Sequence, residues 1–133
     1  MSQENVEIVL ESFRRFRPSG LDEWATMLHP DAEITAPNGW PEQGPFIGRE
    51  AVVRQFKRMV ADWSEVRFED IELAAESGDW VVMTWRWITR GATSGIPAEF
   101  DLAGAFRIED GLITEGHFRW NRNEALEFAG LPE

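Results

Sequence analysis

Apolar residues recur every three or four positions early in the chain and every second position over its later half. That change of period predicts helices first and a sheet after. Val6, Val9, Leu10, Phe13 and Phe16 form one face of a first helix, which Pro18-Ser19-Gly20 ends. Leu21, Trp24, Ala25 and Leu28 predict a short second helix stopping before His29-Pro30, and residues 31–36 read as a short strand. Residues 48–63 predict a long helix with Val52, Phe56, Met59, Val60 and Trp63 as its stripe. Four strands follow, at residues 66–75, 80–90, 98–109 and 112–120. They are joined by Ser77-Gly78-Asp79, by the wider stretch 91–97 and by Asp110-Gly111. Residues 124–128 give a final helical turn closed by Gly130 and Pro132.

Helices before a meander of long strands predict an α+β chain whose sheet buries one face against the helices. Side chains two apart on a strand share a face. Alternation therefore turns Met83, Trp85 and Trp87 inward, with Phe100, Leu102, Gly104, Phe106 and Ile108, and Gly116, Phe118 and Trp120. Thr84, Arg86, Asp101, Arg107, Glu115, His117 and Arg119 then point outward, and a bulge would flip part of this parity. The expected pocket wall is Trp24, Trp40, Phe56, Met83, Trp85, Trp87, Phe106, Phe118 and Trp120. Trp40 lies in a breaker-rich loop, residues 36–48, with three prolines and three glycines, which reads as a lid. Seven Trp and nine Phe also suit a plain filled core, each ring burying about 150–250 Å². Pocket and plugged core both stay open at this point.

Length adds that 133 residues make one domain, 1–133. There is no cysteine, hence no disulfide, thiolate nucleophile or Cys-ligated zinc. The net charge of −11 repels phosphate backbones and anionic lipid, so neither nucleic acid nor membrane is an expected partner. No basic-then-apolar segment opens the sequence and no apolar run reaches 18 residues, so a cytoplasmic location is expected.

Proton-transfer chemistry needs a titratable group within reach of substrate in a dry site. Of the two histidines, His117 between Glu115 and Arg119 reads as a solvated or interface cross-strand group. Glu115 and His117 are two parts of a metal site, but spacing places no third ligand beside them, so no metal is expected, and no cofactor. Asp31, beside His29, is expected to bond local backbone amides. Asp31 and Glu42, the acid nearest Trp40 in the loop, are the remaining catalytic candidates. Ser94 in Thr-Ser-Gly has no histidine at a recognisable spacing.

Several segments resemble the nuclear transport factor 2-like superfamily and, within it, SnoaL-like proteins. They are His29-Pro30-Asp31-Ala32, Gly48-Arg49-Glu50-Ala51-Val52, residues 91–96, Asp110-Gly111-Leu112-Ile113 and residues 121–131. The resemblance implies a cone, in which a curved antiparallel sheet wraps the N-terminal helices and one long helix and leaves a pocket at the wide end. It also implies a homodimer through the outer sheet face. The superfamily includes ketosteroid isomerases, limonene-epoxide hydrolases and polyketide cyclases. Their machinery does not carry over. The isomerase base falls at Ala36, its hydroxyl donor near Phe13 and its protonated acid near Gly104. The hydrolase acids and arginine fall at Trp85, Trp87 and Phe118, and the cyclase base near Phe118. The reading is a domain that binds a neutral, mostly apolar small molecule, with isomerase, hydratase or cyclase-type proton transfer. The alternative is a non-catalytic binding or dimerisation module.

Overall fold

Among the residues described by the computed structural model, 2–132, three helices and a strand pair precede the long strands. The order is α1 (Ser2–Arg15), α2 (Leu21–Ala25), β1 (Leu28–Thr35), β2 (Phe46–Ile47) and α3 (Arg49–Val60). Then come β3 (Trp63–Ser77), β4 (Trp80–Gly91), β5 (Pro97–Glu109), β6 (Leu112–Arg119) and α4 (Arg122–Ala129). The strands make one sheet in the order β2-β1-β6-β5-β4-β3. The sheet is mixed, because β1 runs parallel to β6 while its other pairs are antiparallel. No described helix is long and apolar enough to cross a membrane.

The inward rows fall where alternation places them. Met83, Trp85 and Trp87 are buried, as are Leu102, Phe106 and Ile108 beside them on β5. The reason is register. β4 pairs with β5 without a slip from Trp80↔Arg107 to Arg90↔Pro97, so parity survives along the whole ladder. Slips fall in other ladders: on β3 between Trp63 and Glu65, between Glu69 and Glu72, where Asp70 takes φ 53°, and between Leu73 and Ala75. The β5–β6 pair slips between Arg107 and Ile108, and the β1–β6 pair between Leu28 and Glu33. Asp110 and Gly111 have φ 53° and 78°, the paired positive values of a type I′ hairpin turn.

The two sheet faces meet different helices. Val9 of α1, Phe16 just beyond its end, Leu21 and Trp24 of α2, and Val52, Phe56 and Val60 of α3 join the inner face in one large core. On the outer face Val82, Ala103 and Ala105 pack against Ala125 and Leu126 of α4. Asn121 caps α4, accepting from the Glu124 N–H at 2.9 Å, and left-handed Gly130 ends it. The small alanines let the helix approach the strands closely.

Gly104 shows how tightly the inner face is filled. A Cβ there would stand 2.8 Å from Trp85 Cη2 and Phe106 Cε2 and 2.9 Å from Phe106 Cζ. Overpacking of this kind costs about 1–3 kcal/mol. The gain from stiffening the unfolded chain is about 0.4–1 kcal/mol, so overpacking wins. Gly104→Ala should therefore lower the urea midpoint, and an unchanged midpoint would mean both rings are free to retreat.

Candidate functional site

The apolar interior is nearly, but not fully, closed. A void of about 40 Å³ is walled by Phe13, Trp24, Phe56, Trp85, Phe106 and Phe118 among others. A second of about 30 Å³ lies between Trp40, Phe46, Phe56, Met59, Leu102 and Phe118. Ile34, Phe56, Trp87 and Phe118 stand in the walls of both, and Phe56 and Phe118 meet edge to face at 6.2 Å. Edge-on ring contacts run through the wall, including Phe13–Trp85 at 4.9 Å and Trp24–Phe56 at 5.0 Å. Of the residues expected here, Trp24, Phe56, Trp85, Trp87, Phe106 and Phe118 come together around the first void, and Trp40 joins at the second. Met83 is buried yet reaches neither void; it is plain core.

Trp120 is a correction. It is exposed, because β6 ends at Arg119 and strand parity no longer governs the next residue. Its indole N–H donates to the Asn38 carbonyl at 2.6 Å, and its ring lies 5.8 Å from that of Trp40. Trp40 also packs edge-on against Phe100 at 5.7 Å. The Trp40 loop is thus shut against the sheet's rim. Outside it runs an open groove of about 580 Å³, and Trp40, Glu42, Gln55 and Met59 line both groove and second void. One layer of side chains separates the interior from that groove.

Polar groups are few in the walls. Ser12, which interrupts the apolar stripe of α1 three residues after Val9, faces the first void and donates to the Val9 carbonyl at 2.6 Å. No ionisable side chain lines that void among the described residues, and Glu42 is the one that lines the second. Glu42 accepts from Arg58 Nη2 at 3.3 Å and is exposed. Asp31 is exposed and lines neither void; its backbone N–H donates to His29 Nδ1 at 3.0 Å, the reverse of the expected side-chain role.

Comparison with known proteins fits this geometry. The SnoaL-like domain profile matches residues 9–116, most of the chain. The protein belongs to the SnoaL-like domain family. Among solved structures, an NTF2-like protein of unknown function from Burkholderia pseudomallei is 23% identical with a TM-score of 0.77, covering 96% of this chain and 97% of that one. TerC, co-crystallized with polyporic acid, is 22% identical with a TM-score of 0.76 over 96% and 97% of the two chains. Bal32a, from a soil-derived mobile gene cassette, is 18% identical with a TM-score of 0.78 over 96% of each. Likeness at this level is likeness of fold. No curated protein matches the sequence.

The outer face of this SnoaL-like domain carries the feature that alternation could not supply. His117 points outward as expected but is 1% exposed rather than solvated. The Phe128 ring of α4 lies over it at 3.9 Å. The Thr35 hydroxyl meets Nδ1 at 2.7 Å and Glu115 Oε1 meets Nε2 at 2.8 Å. A carboxylate only accepts, so a neutral ring carries its proton on Nε2 and Nδ1 accepts from Thr35. Arg119 Nη1 donates to the same Thr35 oxygen at 3.0 Å, and Arg107 Nη1 to Glu115 Oε2 at 3.3 Å. Burial pushes the His117 pKa down, against the opposing pull of Glu115.

Glu33 is the third carboxylate-or-imidazole neighbour that spacing failed to place. The ligand-type atoms of Glu33, Glu115 and His117 lie within 4.8 Å of one another. Parallel pairing of β1 with β6 sets Glu33 beside Glu115 and Thr35 beside His117. Both ring nitrogens of His117 are already engaged, by Thr35 and Glu115, and Arg119 and Arg107 donate to those same two residues.

Proposed function

We propose that this SnoaL-like domain binds a neutral, largely apolar small molecule inside the cone, entering where the Trp40 loop now closes it. The observation that supports this best is the wall of the first void, which is largely aromatic and free of ionisable side chains among the described residues. An ionised guest there would lose its hydration with no charge to meet it. Ligand pockets commonly measure about 300–1,000 Å³, far above the two inner voids. Occupancy therefore requires the loop to swing out, so that the second void joins the 580 Å³ groove beyond it. Binding is the core of this reading, and proton transfer of isomerase or cyclase type rests on Glu42 alone, since Asp31 lies away from both voids.

Tryptophan fluorescence during titration with a panel of hydrophobic steroids, terpenes and polyketides tests the binding. Saturable quenching is expected, and none across the panel would defeat the proposal. Trp40→Ala removes the ring that seals the loop and should speed association in stopped-flow mixing by roughly tenfold or more while weakening affinity. An association rate equal to that of the unaltered protein would show that guests enter elsewhere. Once a turnover is known, its loss in Glu42→Gln would assign the proton transfer to that carboxylate.

A further inference from the structure

Two buried donors in the cavity wall have nothing to bond. Trp85 and Trp87 are 4% and 5% exposed, and neither indole N–H meets an acceptor. Indole nitrogen can only donate, so it has no alternative role, and buried Trp N–H groups normally find a partner. By contrast the N–H of Trp120, at the exposed rim, reaches the Asn38 carbonyl. Around Trp85 and Trp87 the main chain of β4 pairs with β5 without a slip, and Trp87 pairs with Phe68 of β3, while the β3 bulge lies opposite Trp85. The Ser12 hydroxyl is turned to its own helix, bonding the Val9 carbonyl. Both indoles wall the first void, and Trp87 walls the second as well.

Resting on the binding reading above, we infer that Trp85 and Trp87 select the guest: a neutral, apolar frame carrying a hydrogen-bond-accepting oxygen, received by one or both indole N–H groups. The donors are uncharged and no cationic side chain lines the first void, so the oxygen they suit is a carbonyl or ether rather than a carboxylate or phosphate. These residues bind and discriminate. They are too weakly acidic to give up a proton, so the inference adds no chemical step.

The test uses matched pairs that differ in one group: fluorene against 9-fluorenone, and indane against 1-indanone. Each is titrated into the full chain by calorimetry, alongside NMR of the protein with its Trp indoles labelled with nitrogen-15. The ketone of each pair should bind about tenfold or more tightly. Its binding should move the indole proton of Trp85 or Trp87 downfield, as a new hydrogen bond does. In W85F/W87F, which keeps two aromatic rings and removes both N–H groups, the ketone-to-hydrocarbon ratio should fall to about one. Equal affinities within a pair, with no downfield shift, would overturn the inference and leave the binding proposal standing. A ratio that persists in W85F/W87F would overturn it as well. If no member of either pair binds, the binding reading falls and takes this one with it. Should the double variant not fold, the wild-type ratio and the indole shifts decide the matter by themselves.

Discussion

Phe56→Ala should cost the fold about 3–5 kcal/mol, the usual range for deleting a buried ring, and lower Tm by on the order of 10–20 °C. Phe56 is 6% exposed and touches three rings edge-on: Trp24 at 5.0 Å, Phe16 at 5.5 Å and Phe118 at 6.2 Å. It also stands in the wall of both voids. Its removal does more than shorten one side chain. It merges spaces of about 40 and 30 Å³ with the volume the ring leaves behind. An apolar cavity on that scale stays dry and takes benzene-sized guests. Benzene or indole should therefore restore part of the loss, by about 2.7 kcal/mol when the free ligand is a hundredfold above Kd. Urea unfolding with and without benzene reads both effects. A loss under about 1 kcal/mol would show that the walls collapse onto the gap, and absence of rescue would show that the merged space closes.

That outcome bears on how much of the site can be seen in a sequence. The inner wall was legible because β4 and β5 form a ladder without a bulge, so a period of two maps directly onto burial for Met83, Trp85, Trp87, Leu102 and Phe106. Helical spacing likewise brought Phe56 and Trp24 inward. The same rule failed at Trp120, one residue beyond the end of β6, where the backbone leaves the strand. Ser12 was overlooked because a small polar residue in an apolar stripe reads as a break in the pattern, although its position three after Val9 puts it on the buried face. Void volume lay out of reach for a different reason. It depends on how rings interlock, and glycines such as Gly104, which admit Trp85 and Phe106 over the strand, carry no periodic signal. The outer cluster was hidden by topology. Thr35 and Glu33 lie about eighty residues from His117 and meet it only through the parallel β1–β6 pairing.

That cluster makes stability depend on pH in a direction that can be stated. His117 is held neutral chiefly because burial penalises its charged form; Arg119 adds to the depression, while Glu115 and Glu33 oppose it. Its folded pKa therefore lies below the ordinary 6.5 of a free imidazole. Between those two values the unfolded chain binds the proton and the folded chain does not, so stability rises with pH across that window. The contribution is complete above about pH 6.5 and is lost as the solution is acidified from there toward the folded value. Protonation also replaces the acceptor at Nδ1 with a donor, leaving the Thr35 hydroxyl to turn away while it still accepts from Arg119. His117→Leu keeps an apolar body beneath Phe128 but deprives the Thr35 hydroxyl of its acceptor. Glu115 loses one donor and retains Arg107. The variant should be about 1–3 kcal/mol less stable at pH 7.5. Its disadvantage should shrink as the pH falls to 5, since only the unaltered protein has this histidine to protonate. Urea midpoints for both proteins at half-unit steps from pH 5 to 7.5 give the comparison. A constant gap over that range would mean that His117 carries the same charge folded and unfolded, and that burial beneath Phe128 does not hold it neutral.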